Sequence, residues 1–348
     1  MTSPLLTLAI PTWNRAGFLA ANLAQIESEL SGVAPGLVEV IVSDNCSPDE
    51  TPEVVRDAAA RGLPVRYVRN ERNLGWALNF AQAFDLARGK YVLLLGDDDL
   101  FVDGALRLVV ERLCAREYGV VIMRPFGFDE DFRAENPGGV GRERIFSDPN
   151  AFLIATSRCF TLTSACVINK ALLGEVDSHL FSTSNLAAFH LMLRAALAGR
   201  ENLYLDKYLM ASKRQNSFSY DYSEVFVGEL WNILDSHVQW GLRPETIRTI
   251  ERDKLLSYYP FYLLDLRLSR RGDLRVTFDN FARRFRDRWL FRLWLAPTIT
   301  LPRPLAIVWG GLTTCVGRVL GGDLRRGLKF ALSRAARILG RRRQPLPQ

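Results

Sequence analysis

Three consecutive carboxylates, Asp97, Asp98 and Asp99, directly follow an apolar run in the segment GKYVLLLGDDD. Adjacent like charges repel one another, and a purely structural role seldom requires them. A hard divalent cation such as Mg²⁺ or Mn²⁺ removes that repulsion, because it is bound by one or two carboxylates together with substrate phosphate oxygens. The alternative is an acidic start for a helix near Gly104, since carboxylates are also favoured there. The triplet therefore predicts either a metal and diphosphate site or a helix N-terminus.

Polar residues also follow three other apolar runs. They lie in the segments IPTWNR (residues 10–15), SDNCSPDET (43–51) and NERNLGW (70–76). Because the carboxyl ends of parallel strands meet at one edge of a sheet, these loops and the acidic triplet are expected to line a single crevice. Some of the same side chains also suit purely local roles: Asp44 and Ser47 in turns, and Asn73 as a helix cap. Both interpretations can hold together.

The elements that would position these loops follow an alternating pattern of short apolar runs and helix-like segments, which is typical of repeated βαβ units. The predicted strands are Leu5–Ile10, Val38–Val42, Val65–Val68 and Tyr91–Leu95, and the predicted helices are Phe18–Leu30, Thr51–Ala60, Leu74–Ala87 and Gly104–Arg116. In the third helix, residues 80, 83, 84 and 87 form one apolar face. The pattern predicts an α/β fold with a mostly parallel, Rossmann-like sheet.

The second half of the chain is less regular. Residues 124–150 contain Pro, Gly and many charges, and they predict a long irregular excursion rather than a new domain. The other predicted elements are the strand Val120–Met123, the strand Cys159–Asn169, the helix Leu186–Ala198, the short strand Leu203–Leu205, the polar loop Asp206–Tyr222, and helices only beyond Glu224.

The chain has 348 residues, of which 48% are hydrophobic. This is enough to form one large core and a further extension. The five cysteines are scattered without metal-ligand spacing, so they are expected to be reduced thiols of a cytoplasmic protein. The first apolar run is short and ends at Pro11, so no export signal is expected.

Charge is distributed unevenly along the chain. Residues 1–240 carry a net charge of −8 and residues 241–348 carry +15, and residues 281–348 alone hold 15 basic and 2 acidic side chains. A basic excess of this kind is typical of a surface that binds phosphates, either of anionic lipid or of nucleic acid. Because the core-bearing half of the chain is acidic, nucleic acid is the weaker interpretation. Pro304–Leu320 is apolar, but it contains Gly310, Gly311 and Arg318 and falls at the short limit for a transmembrane helix, so no span is predicted there. Leu324–Leu339 predicts an Arg-rich amphipathic helix, lying in a membrane interface or packed on protein.

At these residues the chain resembles the family 2 glycosyltransferases with the GT-A nucleotide-diphospho-sugar transferase fold. The resemblance runs from about Leu5 to Ser219 and rests on IPTWNR, SDNCSPDET, RNLG with Asn79 downstream, and GKYVLLLGDDD. Within the family the chain is most similar to the abequosyltransferase-like branch of O-antigen enzymes, including the segment KRQNSFSYDY. The resemblance implies a metal-dependent enzyme that uses Mg or Mn, and the branch suggests a CDP-activated dideoxyhexose donor.

The resemblance also implies roles for individual residues. Pro11, Thr12, Trp13 and Arg15 would border the nucleoside, and Asp44 would hydrogen-bond its base. Asn73 and Asn79 would shape the donor pocket, while Asp97 and Asp99, beside Asp98, would form the DxD pair that meets the metal and the donor ribose. The loop from Lys213 to Ser219 would close over the diphosphate, with Arg214 where many relatives carry histidine; the alternative for Lys213 and Arg214 is a solvated turn.

One departure from the family concerns the general base. Relatives usually carry a Glu-Asp pair at the start of the helix that corresponds to residues 186–194, but Ala187 and Ala188 stand there in this chain. Asp177, His179 and His190 are the nearby candidates. A histidine has an ordinary pKa near 6.5, which suits a base, although a histidine within an apolar helix is commonly a core residue.

These observations predict a GT-A catalytic domain over residues 1–222, with a donor-binding half (1–123) and an acceptor-side half (124–222). A helical region (223–280) would pack on it, followed by a basic membrane-associating extension (281–348). The expected function is an inverting glycosyltransferase that moves a sugar from a nucleotide-diphosphate donor to a lipid-linked saccharide in O-antigen-like polysaccharide synthesis, bound at the inner face of the plasma membrane. The alternatives are a polyprenyl-phosphate sugar synthase, which needs no base, and a non-catalytic nucleotide-binding membrane scaffold.

Overall fold

The structure is a computed structural model that describes residues 3–139, 141–174, 184–214, 221–270 and 272–320. The chain divides into two compact units. Unit 1 consists of Met1–Ser219 and Glu229–Thr246, and unit 2 consists of Tyr220–Gly228 and Ile247–Gln348.

Unit 1 is built on a nine-stranded sheet in the order β3-β2-β1-β4-β8-β6-β9-β5, with β7 also paired to β9. The strands are β1 (Leu6–Thr12), β2 (Val38–Asp44), β3 (Val65–Arg69), β4 (Tyr91–Leu94), β5 (Leu100–Phe101), β6 (Val120–Phe128), β7 (Glu143–Phe146), β8 (Cys166–Asn169) and β9 (Asn202–Lys213). Strands β1 to β4 are mutually parallel, which confirms the predicted α/β arrangement. Strand β8 runs antiparallel between β4 and β6.

Helices of unit 1 cover this sheet. They are α1 (Ala16–Leu30), α2 (Thr51–Ala60), α3 (Trp76–Leu86), α4 (Ala105–Ala115), α5 (Phe132–Glu135), α6 (Pro149–Thr156), α7 (Ala187–Ala198) and α8 (Leu230–Ser236). The first four begin and end within two residues of their predicted bounds, because each presents a regular apolar face. In α1 that face is Leu19, Leu23 and Ile26, all within the core against the parallel strands.

The predicted irregular excursion over residues 124–150 is wrong in part. Strand β6 continues to Phe128, and α5, β7 and the start of α6 lie in the same stretch. The register of β6 with β9 shifts on both sides of Arg124, and such an irregularity lets a strand accommodate Pro125. Beyond it Phe126 and Phe128 are both buried on one face, so alternate residues still pack as in a strand.

Two further predictions for unit 1 are also wrong. Of the predicted strand Cys159–Asn169 only the last four residues form β8, and Phe160 instead lies in a turn, its ring 4.7 Å from that of Phe189. The polar loop predicted from Asp206 begins later, because β9 runs on to Lys213 by pairing with the extended β6. Residues 215–220 lie outside the described part of the chain.

Unit 2 is helical in its described residues, as predicted. From residue 247 onward its elements are α9 (Pro244–Asp253, whose first three residues belong to unit 1), a π-helical segment (Lys254–Tyr258), α10 (Tyr259–Ser269), α11 (Leu274–Phe285), a second π-helical segment (Leu290–Leu295), α12 (Ala296–Thr300) and α13 (Arg303–Leu320). Aromatic rings form its core, with Tyr259 and Phe281 5.0 Å apart. Within the described ranges, no helix has the length and apolar character needed to cross a membrane. The predicted helix Leu324–Leu339 lies outside them.

Candidate active site

The acidic triplet lies on a tight loop at the carboxyl end of β4, and all three carboxylates are buried. Two side chains hold the backbone of this loop. Asn22 of α1 donates from Nδ2 to the carbonyl oxygens of Gly96 (3.2 Å) and Asp99 (2.6 Å), and the Ser164 hydroxyl accepts from the N–H of Gly96 at 2.9 Å. The loop is therefore fixed by elements on both sides of β4.

The partners of the three carboxylates differ. The Thr12 hydroxyl donates to Asp97 at 2.8 Å, and the Arg15 guanidinium lies 3.3 Å from Asp97 and 2.5 Å from Asp98. The backbone N–H of Lys213 lies 3.3 Å from an oxygen of Asp99. The structure thus brings three of the predicted site residues together around the triplet: Thr12 and Arg15 at the end of β1, and Lys213 at the end of β9.

Burial changes the acidity of the triplet. It raises the pKa of Asp97 to about 6, although Arg15 and the Thr12 hydroxyl act in the opposite direction. Burial, followed by the neighbouring charge of Asp98, raises the pKa of Asp99 to about 7. Negative charge is therefore costly in this loop, and the cost would fall if a cation approached it.

The donor set of the loop suits a hard divalent cation, because it consists of carboxylate oxygens. In the described part of the chain, however, no three His, Cys, Asp or Glu side chains are grouped so that they could hold a metal ion. Asp97 and Asp99 thus fit an ion that takes one or two protein carboxylates and completes its shell with phosphate oxygens and water. They do not form a cage that would hold a metal by itself.

The loop after β2 is stabilised by Asp44, which is fully buried. Its carboxylate accepts from the Tyr67 hydroxyl at 2.5 Å and from the N–H of Ser47 at 2.9 Å, and Arg69 lies 3.3 Å away. Burial, together with the hydrogen bond to Asp44, raises the pKa of Tyr67. Asp44 therefore supports the loop in this structure, and its contact with a nucleobase stays a prediction.

The two asparagines predicted for the donor pocket belong to a network that joins neighbouring loops. Asn73 accepts from Asn45 Nδ2 at 2.8 Å, and Asn79 accepts from the Ser43 hydroxyl at 2.7 Å. Asn79 also donates to the carbonyl of Ser43 at 2.9 Å. These amides fix the loops after β2 and β3 relative to each other.

Two aromatic side chains of these loops are exposed. Trp13 follows β1 and is 46% exposed, and Trp76 begins α3 and is 49% exposed. Pro11 and Thr12, by contrast, are buried in β1. Large apolar rings on an otherwise polar crevice are suited to stacking on a planar ligand. The sequence indicated this role for Trp13 but not for Trp76.

Lys213 and Arg214 lie where β9 ends. The Lys213 ammonium donates to the carbonyl of Asp129, and the Arg214 guanidinium lies 2.8 Å from Asp129 and 3.1 Å from Glu135. Gly127 provides the space for this arginine, because a Cβ atom at that position would lie 2.7 Å from Arg214 Nε. A cationic side chain is therefore held in a defined place beside the residue that contacts Asp99.

His190 lies on α7, with its ring 5.2 Å from that of His237. Burial, and to a lesser extent the charge of His237, lowers the pKa of His190 to about 4. The imidazole is therefore neutral at pH 7, as a base must be, although a pKa this low makes it a weak one. Its role stays a prediction, and the candidates Asp177 and His179 lie outside the described residues.

Sequence reasoning missed the acidic residue that the structure brings to the start of α7. Glu229 accepts from the N–H of Asn185 at 2.9 Å and from its side-chain amide at 2.6 Å. Ala187 and Ala188, where the family resemblance predicts a carboxylate pair, are buried. Asn22 and Ser164 were missed as well; for Asn22 the available signal was a polar residue on the apolar face of a helix.

The part of the chain that contains the acidic loop after β4 is similar to known proteins. The family model for Glycosyl transferase family 2 matches residues 7–177. Abequosyltransferase RfbV of Salmonella typhimurium is 33% identical over 107 residues, which cover 30% of this chain and 31% of that protein. The GalNAc(5)-diNAcBac-PP-undecaprenol beta-1,3-glucosyltransferase of Campylobacter jejuni is 30% identical over 110 residues, 31% of this chain and 34% of that protein. The matches thus span about a third of each relative.

Solved structures share the fold over most of the chain. The mannosyltransferase PcManGT from Pyrobaculum calidifontis, in complex with GDP-Man and Mn²⁺, superposes with a TM-score of 0.52 and 16% identity, covering 90% of this chain and 88% of that one. At this identity the similarity shows the fold alone, and it confirms the GT-A-like fold predicted from the sequence.

Proposed function

We propose that this chain, whose residues 7–177 form a family 2 glycosyltransferase domain, is an inverting, metal-dependent enzyme that transfers a sugar from a nucleotide-diphosphate donor to a lipid-linked saccharide. The observation that carries the proposal is the buried triplet of Asp97, Asp98 and Asp99 at the carboxyl edge of the sheet. Open α/β sheets bind their ligands at this edge, and buried charges require a partner of opposite sign.

In this proposal Asp97 and Asp99 hold a Mg²⁺ or Mn²⁺ ion, which when bound offsets the charge that develops on the departing diphosphate. Arg15 orients Asp97 and Asp98 through its ion pairs. Arg214 offers a second positive charge, already ordered by Asp129, for the same phosphate oxygens. The exposed ring of Trp13 covers the nucleoside.

The acceptor hydroxyl must lose its proton as it attacks the sugar. His190, Asp177 and Glu229 are the candidates for accepting that proton. Glu229 is included because its carboxylate lies at the start of α7, beside Asn185. A lipid-linked acceptor is supported by the Campylobacter relative, whose name includes a PP-undecaprenol acceptor. It also agrees with the basic segment 281–348, which would hold the protein at the anionic inner face of the plasma membrane.

A second candidate is a polyprenyl-phosphate sugar synthase. Ala187 and Ala188 leave no carboxylate at the predicted position of the base, and both are buried. A lipid phosphate acceptor is already ionised at neutral pH, so such an enzyme would need no base.

Turnover tests this proposal. Purified full-length chain is incubated with Mn²⁺, a panel of nucleotide-sugars and membrane lipid extract, and the released nucleoside diphosphate is measured. Metal-dependent release of one diphosphate, with transfer of its sugar to a lipid saccharide, is expected. Transfer to polyprenyl phosphate would favour the second candidate, and the absence of release with every donor would contradict both.

A further inference from the structure

The helix α13 exposes an unusual set of side chains. After its first residue, every exposed position of this helix is apolar; these positions are Pro304, Leu305, Val308, Leu312, Cys315, Val316, Val319 and Leu320. Surface helices of water-soluble domains normally place charged and polar residues on the solvent side. The outer face of α13 therefore lacks the side chains that water would favour.

These residues form one continuous stripe. At about 100° per residue, Leu305, Val308, Leu312, Val316 and Val319 fall within an arc of about 80°. Their exposed fractions lie between 37% (Val316) and 72% (Val308). Exposed apolar patches of this kind mark surfaces that bind another molecule.

The opposite side of α13 carries small residues, among them Ala306, Gly310 and Gly317, and these are buried within unit 2. A Cβ atom at Gly317 would lie 2.4 Å from the carbonyl oxygen of Leu256, and one at Gly310 would lie 3.0 Å from the Thr298 side chain. The glycines thus allow close backbone packing, which fixes the helix with its large residues outward. The outward position of the large residues follows from packing within unit 2, because rotating the helix about its axis would place them where only glycine fits.

The neighbouring segment Leu290–Leu295 and the residue before it also expose large apolar side chains. Leu293 is 66% exposed, and the preceding Trp289 is 65% exposed. The segment is joined to α13 by a hydrogen bond of 3.1 Å from Trp309 Nε1 to the carbonyl of Trp294. Tryptophan is enriched where proteins meet the interfacial layer of a membrane.

Charge around the stripe indicates what it meets. Helix α13 contains no acidic residue, and residues 281–320 contain seven arginines and a single acidic residue, Asp287. A second copy of this chain would bring like charges together, which opposes association. An anionic lipid surface provides the opposite charge and an apolar layer beneath it.

We propose that the outer face of α13, together with Trp289 and Leu293, enters the interfacial layer of an anionic bilayer, with the helix lying in the plane of the membrane. This inference rests on the membrane location in the proposed function and assigns it to defined residues. An in-plane orientation agrees with the lack of any described helix suited to crossing a membrane. Burial of these apolar side chains in the lipid then contributes to the binding free energy, and salt does not weaken this contribution.

Co-sedimentation of the full chain with phosphatidylglycerol-containing vesicles tests this assignment. The variant Val308→Glu/Leu312→Glu is expected to lower the partition constant by about 100-fold or more, because two apolar side chains no longer enter the lipid. The control Ile154→Glu/Val238→Glu makes the same chemical change at exposed apolar positions of unit 1 and should bind vesicles as the native chain does. Equal binding by both variants would overturn the assignment, as would self-association through α13 without vesicle binding.

A fluorescent label gives a second measurement that requires no charged substitution. With Cys46 and Cys114 replaced by serine, an environment-sensitive dye on the exposed Cys315 of α13 should shift to the blue when vesicles are added. With Cys46 and Cys315 replaced instead, dye on the exposed Cys114 should not shift. Vesicle binding without a shift at Cys315 would place the contact elsewhere. Nucleotide-sugar turnover, measured on the native chain and on Val308→Glu/Leu312→Glu, separates failure of this inference from failure of the proposed enzyme.

Discussion

Two regions of the molecule depart in opposite ways from the usual distribution of charged residues on the surface and apolar residues in the interior. In unit 1 the loop after β4 buries three adjacent carboxylates, whereas in unit 2 the helix α13 exposes a stripe of large apolar residues. Each arrangement costs free energy in water, the first through desolvation of charge and the second through hydration of apolar surface. A divalent cation with a diphosphate would relieve the first cost and a lipid surface the second. A buried charge or an exposed apolar surface therefore indicates where a ligand is needed.

The largest expected effect comes from removing one carboxylate of the triplet. Asp99→Ala should lower turnover by about 10³-fold or more, because the leaving diphosphate loses its stabilisation. The same variant should unfold at a temperature no lower than the native chain, since a buried charge has been removed. Asp103→Ala is the matched control: its carboxylate is exposed and pairs with Arg133, so turnover should change little. Strong loss of stability in Asp99→Ala with turnover retained would show that the triplet is structural.

The next effect concerns the proton acceptor. His190→Ala should lower turnover by about 10²-fold with little change in donor affinity, as loss of a general base does. Asp177→Asn and Glu229→Gln are measured beside it. If His190→Ala only destabilises the fold while one of the other two variants abolishes turnover, the histidine is a core residue and that carboxylate is the base.

A smaller effect is expected from displacing Arg214. Gly127→Ala places a methyl group where the Arg214 side chain now lies, so turnover should fall by about tenfold and stability by about 1 to 3 kcal/mol. Gly17→Ala is the control, because no atom lies within 4 Å of its Cβ position, and this substitution within α1 should be neutral or stabilising. Equal turnover in the two variants would remove Arg214 from the proposed site.

The smallest effect is a pH dependence of stability. Because burial lowers the pKa of His190 to about 4 in the folded chain, the unfolded chain binds more protons between that value and about 6.5. The free energy of unfolding should therefore decrease as pH falls through this range, by about 1 kcal/mol after allowance for partial exposure. Denaturant titrations of the native chain and His190→Gln at pH 7 and pH 5 measure it. An equal decrease in both proteins would assign the effect to other groups.

The parts of the fold that local sequence pattern could predict are those with regular apolar spacing. Strands β1, β2 and β4 contain runs of buried Val, Ile and Leu, and the parallel order of β1 to β4 brings Thr12, Arg15 and Asp97 together at one edge. The continuation of β6 past Pro125 and of β9 to Lys213 could not be predicted, because each strand depends on pairing with the other across a long stretch of chain. Local pattern thus located the acidic loop but not all of its supports.

The supporting residues of both regions depend on tertiary packing. Asn22 reaches the acidic loop from a helix and Ser164 from a distant 3₁₀ turn. Asn22 carries a weak local signal, as a polar residue on an apolar helix face, whereas nothing in the sequence around Ser164 indicates its contact. The apolar run of α13 is visible in the sequence, but which residues face outward follows from how Gly310 and Gly317 pack. Sequence therefore indicated the acidic triplet, whereas the structure identified its supporting residues and the exposed apolar face of α13.

Titration calorimetry of nucleoside diphosphates tests the central claim most directly, because it measures whether the buried triplet binds its ligand through a cation. The native chain should bind one diphosphate in the presence of Mn²⁺ and lose at least about tenfold in affinity when EDTA is added, and Asp99→Ala should bind weakly in both conditions. Equal affinity of the native chain with and without metal, or undiminished binding by Asp99→Ala, would contradict the role assigned to the triplet.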